Sequence, residues 1–226
     1  MTAVALFVKT PGLSPVKSRL AVAIGKNLAE QWHLMAARAI AAAAQAADIG
    51  PVYWAVAEAQ ARASPFWQDH PIMVQQTGGL GRRMAGIHRK LVRLHGSALL
   101  LGADAPQWPI AWLREAADWL HHDDPRLCLG PAHDGGFWTF GANRALPDAD
   151  WEAVQYSRGS TCSEFRRRME HHGEWLELQP LTDLDRIEDL PAVIAELEHL
   201  NAPTKHQREL LNWLNALRTE LSSKKL

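Results

Sequence analysis

Short apolar runs alternate with longer stretches of helical periodicity along most of the chain. The apolar runs predict seven strands, at residues 3–8, 52–57, 72–75, 98–102, 127–130, 137–141 and 175–179. The intervening stretches predict five helices, at residues 27–47, 80–94, 110–120, 160–171 and 188–200. Strands that alternate with helices in this way are typical of an α/β fold with a mostly parallel sheet.

The pattern is interrupted once, at Asn201-Ala202-Pro203. Before this break, residues 1–200 are predicted to form the main domain, and residues 201–226 are predicted to be a helical appendage of that same domain. The appendage carries leucines at helical spacing, namely Leu210, Leu211, Leu214, Leu217 and Leu221. This stripe is expected either to dock on the body of the chain or to form the contact of a homodimer.

Composition and charge exclude several classes of protein. The chain has 226 residues, of which 47% are apolar, so one domain can bury a sizeable core without disulfides or structural metals. A formal net charge of −1 leaves no global positive field for nucleic acid or an anionic membrane surface. The two cysteines, Cys128 and Cys162, form no disulfide framework and suit a reducing cytosol. The first apolar run is too short for a signal-peptide core or a membrane span, so a cytoplasmic protein is predicted.

The first candidate for chemistry is a basic loop that follows the first predicted strand. It carries Lys9, Lys17 and Arg19, and these cations suit a phosphate-bearing ligand. Pro15 has no backbone N–H to offer a phosphate, so the segment is not a P-loop. A solvated basic loop without function is the alternative.

A glycine cluster precedes the predicted helix at residues 80–94. Gly78, Gly79 and Gly81 could bring backbone N–H groups close to an anion. A tight turn would explain the same glycines equally well.

Carboxylates follow two of the predicted strands. Asp104 comes directly after a wholly apolar strand, where an unpaired charge is costly, so a metal ion is predicted as its partner in preference to a helix-capping role near Pro109. Asp183 and Asp185 are two residues apart and point the same way in an extended segment, so they could hold a divalent ion jointly with Asp104. Asp185 could also cap the next helix, with Glu188 as its capping-box partner.

Asp134 opens an Asp-Gly-Gly sequence between two predicted strands. A hairpin-type turn is sufficient to explain it. The alternative is that Asp134 positions or deprotonates the hydroxyl of an acceptor.

Six segments occur together in the order found in one family. They are residues 7–12, 16–20, 79–84, 102–106, 130–137 and 183–190. On these motifs, residues 3–200 resemble the DUF2064 family, also called selenodomain-associated transferase 1, of the nucleotide-diphospho-sugar transferase superfamily. The resemblance implies a GT-A type fold, a Rossmann-like three-layer α/β/α sandwich with a mostly parallel mixed sheet, which binds a nucleotide with Mg²⁺ or Mn²⁺.

The family motifs match the candidates found from the residues: the basic loop with Lys9, Lys17 and Arg19, the strand-end Asp104, the turn at Asp134, and the acidic pair Asp183 and Asp185. The chain departs from the family at Gly79, Arg82 and Gln107, where members usually carry acids.

The resemblance implies a metal-dependent transferase that uses a nucleotide-activated donor, with a nucleotide-sugar glycosyltransferase as the leading hypothesis. Asp104, Asp183 and Asp185 would hold the metal, and Asp104, Asp134 and Lys17 would be catalytic. A nucleotidyltransferase that consumes a nucleoside triphosphate and releases pyrophosphate is the second hypothesis. The missing acids motivate a third, a non-catalytic nucleotide-binding module. The acceptor is expected to be a small molecule of unspecified class.

Overall fold

The computed structural model describes residues 1–223 as a single seven-stranded sheet covered by helices. The strands are β1 (Thr2–Val8), β2 (Val52–Val56), β3 (Ile72–Val74), β4 (Ser97–Leu101), β5 (Arg126–Pro131), β6 (Phe137–Ala142) and β7 (Glu174–Glu177). Their order across the sheet is β3-β2-β1-β4-β6-β5-β7. β6 runs antiparallel to both of its neighbours, and the other pairings are parallel.

Eight α-helices accompany the sheet within residues 1–223. They are α1 (Ser18–Ile24), α2 (Lys26–Ala47), α3 (Leu80–His95), α4 (Ile110–Leu120), α5 (Asp148–Glu152), α6 (Thr161–Met169), α7 (Leu190–Glu198) and α8 (Lys205–Ser223). Helices α2 and α4 pack on one face of the sheet, and α3, α5 and α6 pack on the other. This arrangement confirms the three-layer α/β/α sandwich with a mostly parallel mixed sheet.

The two faces of β1 show why the layers form. Val4, Leu6 and Val8 contribute to the core under α2 and α4, whereas Ala3 and Ala5 contribute to the core under α3. Successive side chains of a strand point to opposite faces, so a strand that is covered on both faces is apolar at nearly every position. That continuous apolar run is the signal by which the sequence predicts the strand.

Helices α7 and α8 pack on the outer side of α2 as part of a third cluster of buried residues. Leu210 and Leu214 of α8 are completely buried there, together with Trp32 of α2. The side-chain amide of Gln207 donates hydrogen bonds to the carbonyls of Pro106 and Trp108, which ties α8 to the loop after β4. The leucine stripe therefore docks within the chain. Residues 224–226 of the predicted appendage lie outside the described residues.

All seven predicted strands and all five predicted helices are present, with ends that differ by a few residues. The sequence prediction missed α1, which lies in the segment interpreted as a basic loop, and the short helix α5. Within residues 1–223, no helix combines the length and the apolar character needed to cross a bilayer.

Candidate functional site

A cavity of about 800 Å³ opens at the carboxyl ends of the central strands. In open α/β sheets this edge is where ligands bind. The charged residues of its wall come from segments far apart in sequence: Lys9, Lys17, Arg19, Arg83, Asp104, Asp134, Arg158, Asp183 and Asp185. The fold thus brings every charged residue selected from the sequence to one cavity.

Lys17 lies at the centre of the acidic residues. Its Nζ is 3.1 Å from Oδ2 of Asp104 and 3.9 Å from Oδ1 of Asp185, and only 5% of its side chain is exposed. Its backbone is in the left-handed region, at φ 46° and ψ 43°, directly before α1. A non-glycine residue in this region is held there at a cost by its surroundings. The structure therefore places Lys17 in contact with the acids, in addition to its position on the phosphate-binding loop predicted from the sequence.

Arg19 approaches the same acids from the outside. Its Nη1 donates a hydrogen bond of 2.7 Å to Oδ2 of Asp185, and 62% of its side chain is exposed. The two oxygens of Asp185 therefore face two different cations. The outer pair is open to solvent and can rearrange when an anionic ligand arrives.

Asp183 is the most enclosed of the acids. Burial raises the pKa of its carboxyl group to about 7, and the nearby charge of Asp104 adds to this effect, while Lys17 opposes it. Its Oδ1 is buried and accepts no hydrogen bond from residues 1–223. A buried carboxylate oxygen without a partner is costly, and a cation or a proton would satisfy it.

The turn after Asp183 differs from the capping arrangement predicted from the sequence. Asp189, and not Asp185, supplies the capping carboxylate: its Oδ2 accepts hydrogen bonds from the backbone N–H groups of Asp185 and Arg186. The prediction that Asp185 caps the helix with Glu188 is therefore wrong, and Asp185 is free to face Lys17 and Arg19. Asp104 is not a cap either, because Pro109 is the residue that precedes α4.

Gln107 holds the segment next to Asp183 in place through hydrogen bonds made outside the cavity wall. Its side-chain amide donates to the carbonyl of Thr182 and, at 2.8 Å, to Oε2 of Glu196. Glu196 in turn accepts hydrogen bonds from the backbone N–H and the hydroxyl of Thr182. The neutral amide at position 107 therefore bridges a carboxylate and the residue next to Asp183. Gln107 is not part of the cavity wall.

The three clustered carboxylates suit a divalent metal by their chemistry but not by their present placement. Three carboxyl groups, one with an unpartnered oxygen, are the donor set that Mg²⁺ or Mn²⁺ prefers. As they stand, however, no three His, Cys, Asp or Glu side chains within the described part of the chain are placed to hold an ion. The chemistry of the donors fits a metal, and the ammonium of Lys17 lies among the oxygens that would bind it.

Asp134 forms the predicted turn. Its Oδ1 accepts a hydrogen bond of 2.8 Å from the backbone N–H of Gly136, and Gly135 has a positive φ of 88°. A Cβ atom on Gly135 would lie 2.0 Å from the carbonyl oxygen of Gly159, so the turn packs directly on the opposite wall. Asp134 is nevertheless exposed and contributes to the cavity.

That opposite wall, residues 156–161, was missed from the sequence. Tyr156, Ser157, Arg158, Gly159 and Thr161 line the cavity. Ser157 has a left-handed backbone with a φ of 62°. The run leads into the first residue of α6 and carries no spacing signal that links it to the other segments. Its position becomes evident only from the close approach of Gly135 and Gly159.

The glycine cluster contributes to the cavity differently from the prediction. Leu80, Arg83 and Met84 are part of the wall, whereas Gly78, Gly79 and Gly81 are not. Gly81 is buried in α3, where a Cβ atom would lie 2.3 Å from the carbonyl oxygen of Trp151. This glycine allows α3 to approach α5 closely.

His33 is a cavity residue that the sequence analysis did not select. It lies on α2, and its Nε2 is 2.9 Å from the carbonyl oxygen of Lys9. Burial lowers its pKa, although the negative charge of Asp104 opposes that shift. A neutral imidazole that donates to this carbonyl fixes the start of the basic loop.

The chain belongs to the DUF2064 family, described as uncharacterized proteins conserved in bacteria, whose model matches residues 36–158. The matched part contains Asp104 and Asp134. The basic loop and the pair Asp183 and Asp185 lie outside it. No curated protein matches the sequence.

Solved structures share the fold at low sequence identity. A provisionally assigned nucleotide-diphospho-sugar transferase from Desulfovibrio desulfuricans G20 superposes with a TM-score of 0.83 at 20% identity, over 97% of each chain. A CMP:2-keto-3-deoxy-manno-octonic acid synthetase complexed with CTP gives 0.53 at 10% identity, over 87% of this chain and 99% of that one. A 4-diphosphocytidyl-2C-methyl-D-erythritol synthase from Anaerococcus prevotii DSM 20548 gives 0.52 at 10% identity, over 88% and 99%. These likenesses establish the fold.

Proposed function

We propose that this protein is a metal-dependent transferase that uses a nucleotide-sugar as its donor. The observation that carries the proposal is the meeting of Lys17 with Asp104, Asp183 and Asp185 in one cavity at the carboxyl edge of the sheet. Breaking a sugar–phosphate bond requires cations that bind the diphosphate and carboxylates that hold a divalent ion. The relative with a TM-score of 0.83 carries a nucleotide-diphospho-sugar transferase assignment, which supports the same class.

The residues that face the donor divide into two roles. Asp104, Asp183 and Asp185 would hold Mg²⁺ or Mn²⁺, which when bound would neutralise the diphosphate of the donor. Lys17 and Arg19 bind the phosphate oxygens and stabilise the charge that develops on the leaving group, and Lys9 extends this positive surface.

Asp134 accepts a hydrogen bond from the acceptor hydroxyl and orients it toward the donor. Oδ1 already serves the turn, so Oδ2 is the oxygen available to the acceptor. An exposed carboxylate on the cavity wall can both position a hydroxyl group and take its proton. Gly78, Gly79 and Gly81 do not line the cavity, and we assign Gly78 and Gly79 to the shape of the loop before α3 and Gly81 to the packing of α3 on α5.

The positions that depart from the family do not argue against activity. Gly79, Arg82 and Gln107 are all absent from the cavity wall. Gln107 has its own partners in Thr182 and Glu196. An acid is therefore not required at these positions for the cavity to keep its four carboxylates.

Nucleotidyl transfer is the second candidate, because two structures of this fold are named as a CMP-sugar acid synthetase bound to CTP and as a diphosphocytidyl-methylerythritol synthase. In that reaction the bond broken lies between the α- and β-phosphates of a nucleoside triphosphate. The same cations would stabilise pyrophosphate as the leaving group.

Thermal unfolding against a panel of nucleoside triphosphates and nucleotide-sugars, each with and without Mg²⁺ or Mn²⁺, tests both candidates. A ligand at ~100 times its Kd adds about 2.7 kcal/mol to the free energy of unfolding if it binds only the folded state. A metal-dependent shift with a nucleotide-sugar, followed by transfer of the sugar to an acceptor and release of the nucleoside diphosphate or monophosphate, supports glycosyl transfer. A shift with a triphosphate and release of pyrophosphate supports nucleotidyl transfer.

Asp104→Asn should abolish the metal-dependent part of the shift. Asp118→Asn is the matched control, since Asp118 is an exposed acid on α4 away from the cavity. Binding without turnover of any donor would support the non-catalytic module, and the absence of binding to every nucleotide would refute the proposed function.

A further inference from the structure

Lys17 occupies the place among the carboxylates that a metal ion would take. We infer that Lys17 is an internal cation that competes with the divalent ion for Asp104 and Asp185, so that the acidic cluster exchanges one cation for the other. The inference rests on the proposed function in one respect, the assignment of these carboxylates to a metal.

The contacts of Lys17 make the two cations mutually exclusive. Its Nζ lies 3.1 Å from Oδ2 of Asp104 and 3.9 Å from Oδ1 of Asp185, and the side chain is 5% exposed. An ion at the short distances typical of Mg²⁺, about 2.0–2.1 Å from its oxygens, would have to share these acids with a nearly dehydrated ammonium. Repulsion between cations is strong where solvent does not screen it.

Charge balance leads to the same conclusion. When Asp104, Asp183 and Asp185 are ionised they carry three negative charges, against the two positive charges of Lys17 and Arg19. A divalent ion added to this set would make it net positive. If the ion replaces Lys17, the two positive charges of the ion and the one of the solvent-exposed Arg19 balance the three carboxylates.

Once it is displaced from the carboxylates, Lys17 can bind the phosphates of the donor. Lys17 lines the same cavity as Lys9 and Arg19, where the phosphates of a donor are expected. A phosphate group can take the ammonium from the carboxylates and leave their oxygens free for the ion. By linkage, the donor then strengthens metal binding and the metal strengthens donor binding by the same factor.

The direct test is a titration with Mn²⁺ alone, with no nucleotide present, followed by the electron paramagnetic resonance signal of free Mn²⁺ at about pH 8. Lys17→Met should bind Mn²⁺ about tenfold or more tightly than the parent protein. Removal of a positive charge close to a cation site favours the cation by as much as a shift of about one pKa unit or more, which is a factor of about ten. Lys26→Met is the matched control. Lys26 is an exposed lysine paired with Glu30, so this substitution removes the same charge at a place away from the cavity. It should bind Mn²⁺ like the parent.

The double variant Lys17→Met with Asp104→Asn should lose the gain, because the ion then lacks one of its carboxylates. Equal or weaker Mn²⁺ binding by Lys17→Met, or a gain that survives Asp104→Asn, would overturn the inference. Lys17→Gln, which keeps a polar end group, serves if the methionine variant does not fold.

A second measurement uses the unaltered chain. Reductive methylation followed by peptide mass spectrometry should modify Lys17 faster with saturating Mn²⁺ than without it, while Lys26 reacts at the same rate in both. An unchanged rate at Lys17 would contradict the exchange. Neither experiment contains a nucleotide, so failure of the nucleotide panel and failure of this inference are read separately.

Discussion

At the scale of single residues, His88 shows how burial alone creates a dependence on pH. The imidazole projects from α3, contacts the rings of Phe140 and Trp151, and is completely buried. Burial lowers its pKa to about 4, against a smaller opposing effect of the backbone of Ala142. Neither ring nitrogen has a hydrogen-bond partner of normal geometry among the described residues.

His88→Leu should remove one contribution to acid sensitivity. The unfolded chain binds a proton at His88 below its usual pKa of about 6.5, whereas the folded chain does so only near pH 4. Between these values the unfolded state holds more protons, so this residue makes the free energy of unfolding fall as the pH falls. The loss is about 3 kcal/mol over the interval. Urea unfolding of both proteins at several pH values should show the parent losing this amount relative to His88→Leu.

Because the comparison is a difference between two proteins, the opposite contribution of Asp183 cancels. Its raised pKa makes folding less favourable as the pH rises toward 7, in both proteins alike. His121→Leu, at an exposed histidine after α4, is the control and should follow the parent at every pH. Parallel curves for the parent and His88→Leu would disprove the assignment.

The candidate residues themselves were predictable to different degrees. Asp104 is predictable because the strand predicted before it, residues 98–102, is apolar throughout, which fixes its place at the edge of the sheet. The contact of Lys17 with Asp185 could not be predicted, since the two are brought together only by the order of the strands. Arg158 and His33 have no local pattern that separates them from surface or core residues.

At the scale of elements, Gln107 links the loop after β4 to α7 and to the segment of Asp183. Its amide donates to Glu196 and to the carbonyl of Thr182. From the sequence alone, position 107 is notable only because members of the family usually carry an acid there. The structure explains the amide, because an acid at this buried position would face the carboxylate of Glu196.

Gln107→Glu should therefore lower the free energy of unfolding by about 2 kcal/mol, because a buried carboxylate would face Glu196, and Glu196 and the carbonyl of Thr182 would both lose the amide donor. Adding Glu196→Gln restores a neutral partner that can donate, so the double variant should recover most of the loss. Thermal and urea unfolding of the four proteins of this double-mutant cycle give the coupling. Additive effects would show that Gln107 and Glu196 act independently.

The elements missed from the sequence share a physical cause. α1 has seven residues after a segment that contains two prolines, and α5 has five residues, so neither offers enough turns for a periodic signal. Both form because the surrounding fold covers them: Leu20 of α1 and Trp151 of α5 are buried in the large clusters. For the long elements that are buried along their length, the predicted ends lie within a few residues of the observed ends.

At the scale of the whole molecule, α8 is joined to the body through buried leucines. Leu214 is completely buried against the cluster that also contains Trp32 and Val193. The sequence left open whether this stripe docks within the chain or between two chains. Because the stripe is buried within a single chain, it docks on the body of that chain. The homodimer itself stays a prediction.

Leu214→Ala should lower the free energy of unfolding by about 2–5 kcal/mol, the range for a large-to-small change in a core. Leu94→Ala is the control, because the side chain of Leu94 is 61% exposed and its loss should cost little. Urea unfolding measures both. Sedimentation of the same samples should give one unchanged mass, whereas a mass that halves in Leu214→Ala alone would mean that the stripe holds two chains together.

The distance along the chain between Lys17 and Asp185, whose side chains lie 3.9 Å apart, has a consequence for biosynthesis. A ribosome must translate through β7 and the segment that follows it before the last carboxylates of the cavity exist. A nascent chain that has already folded β1 to β4 can pair Lys17 with Asp104 but still lacks Asp183 and Asp185. The complete cavity is therefore one of the last features of the domain to form as the chain is made.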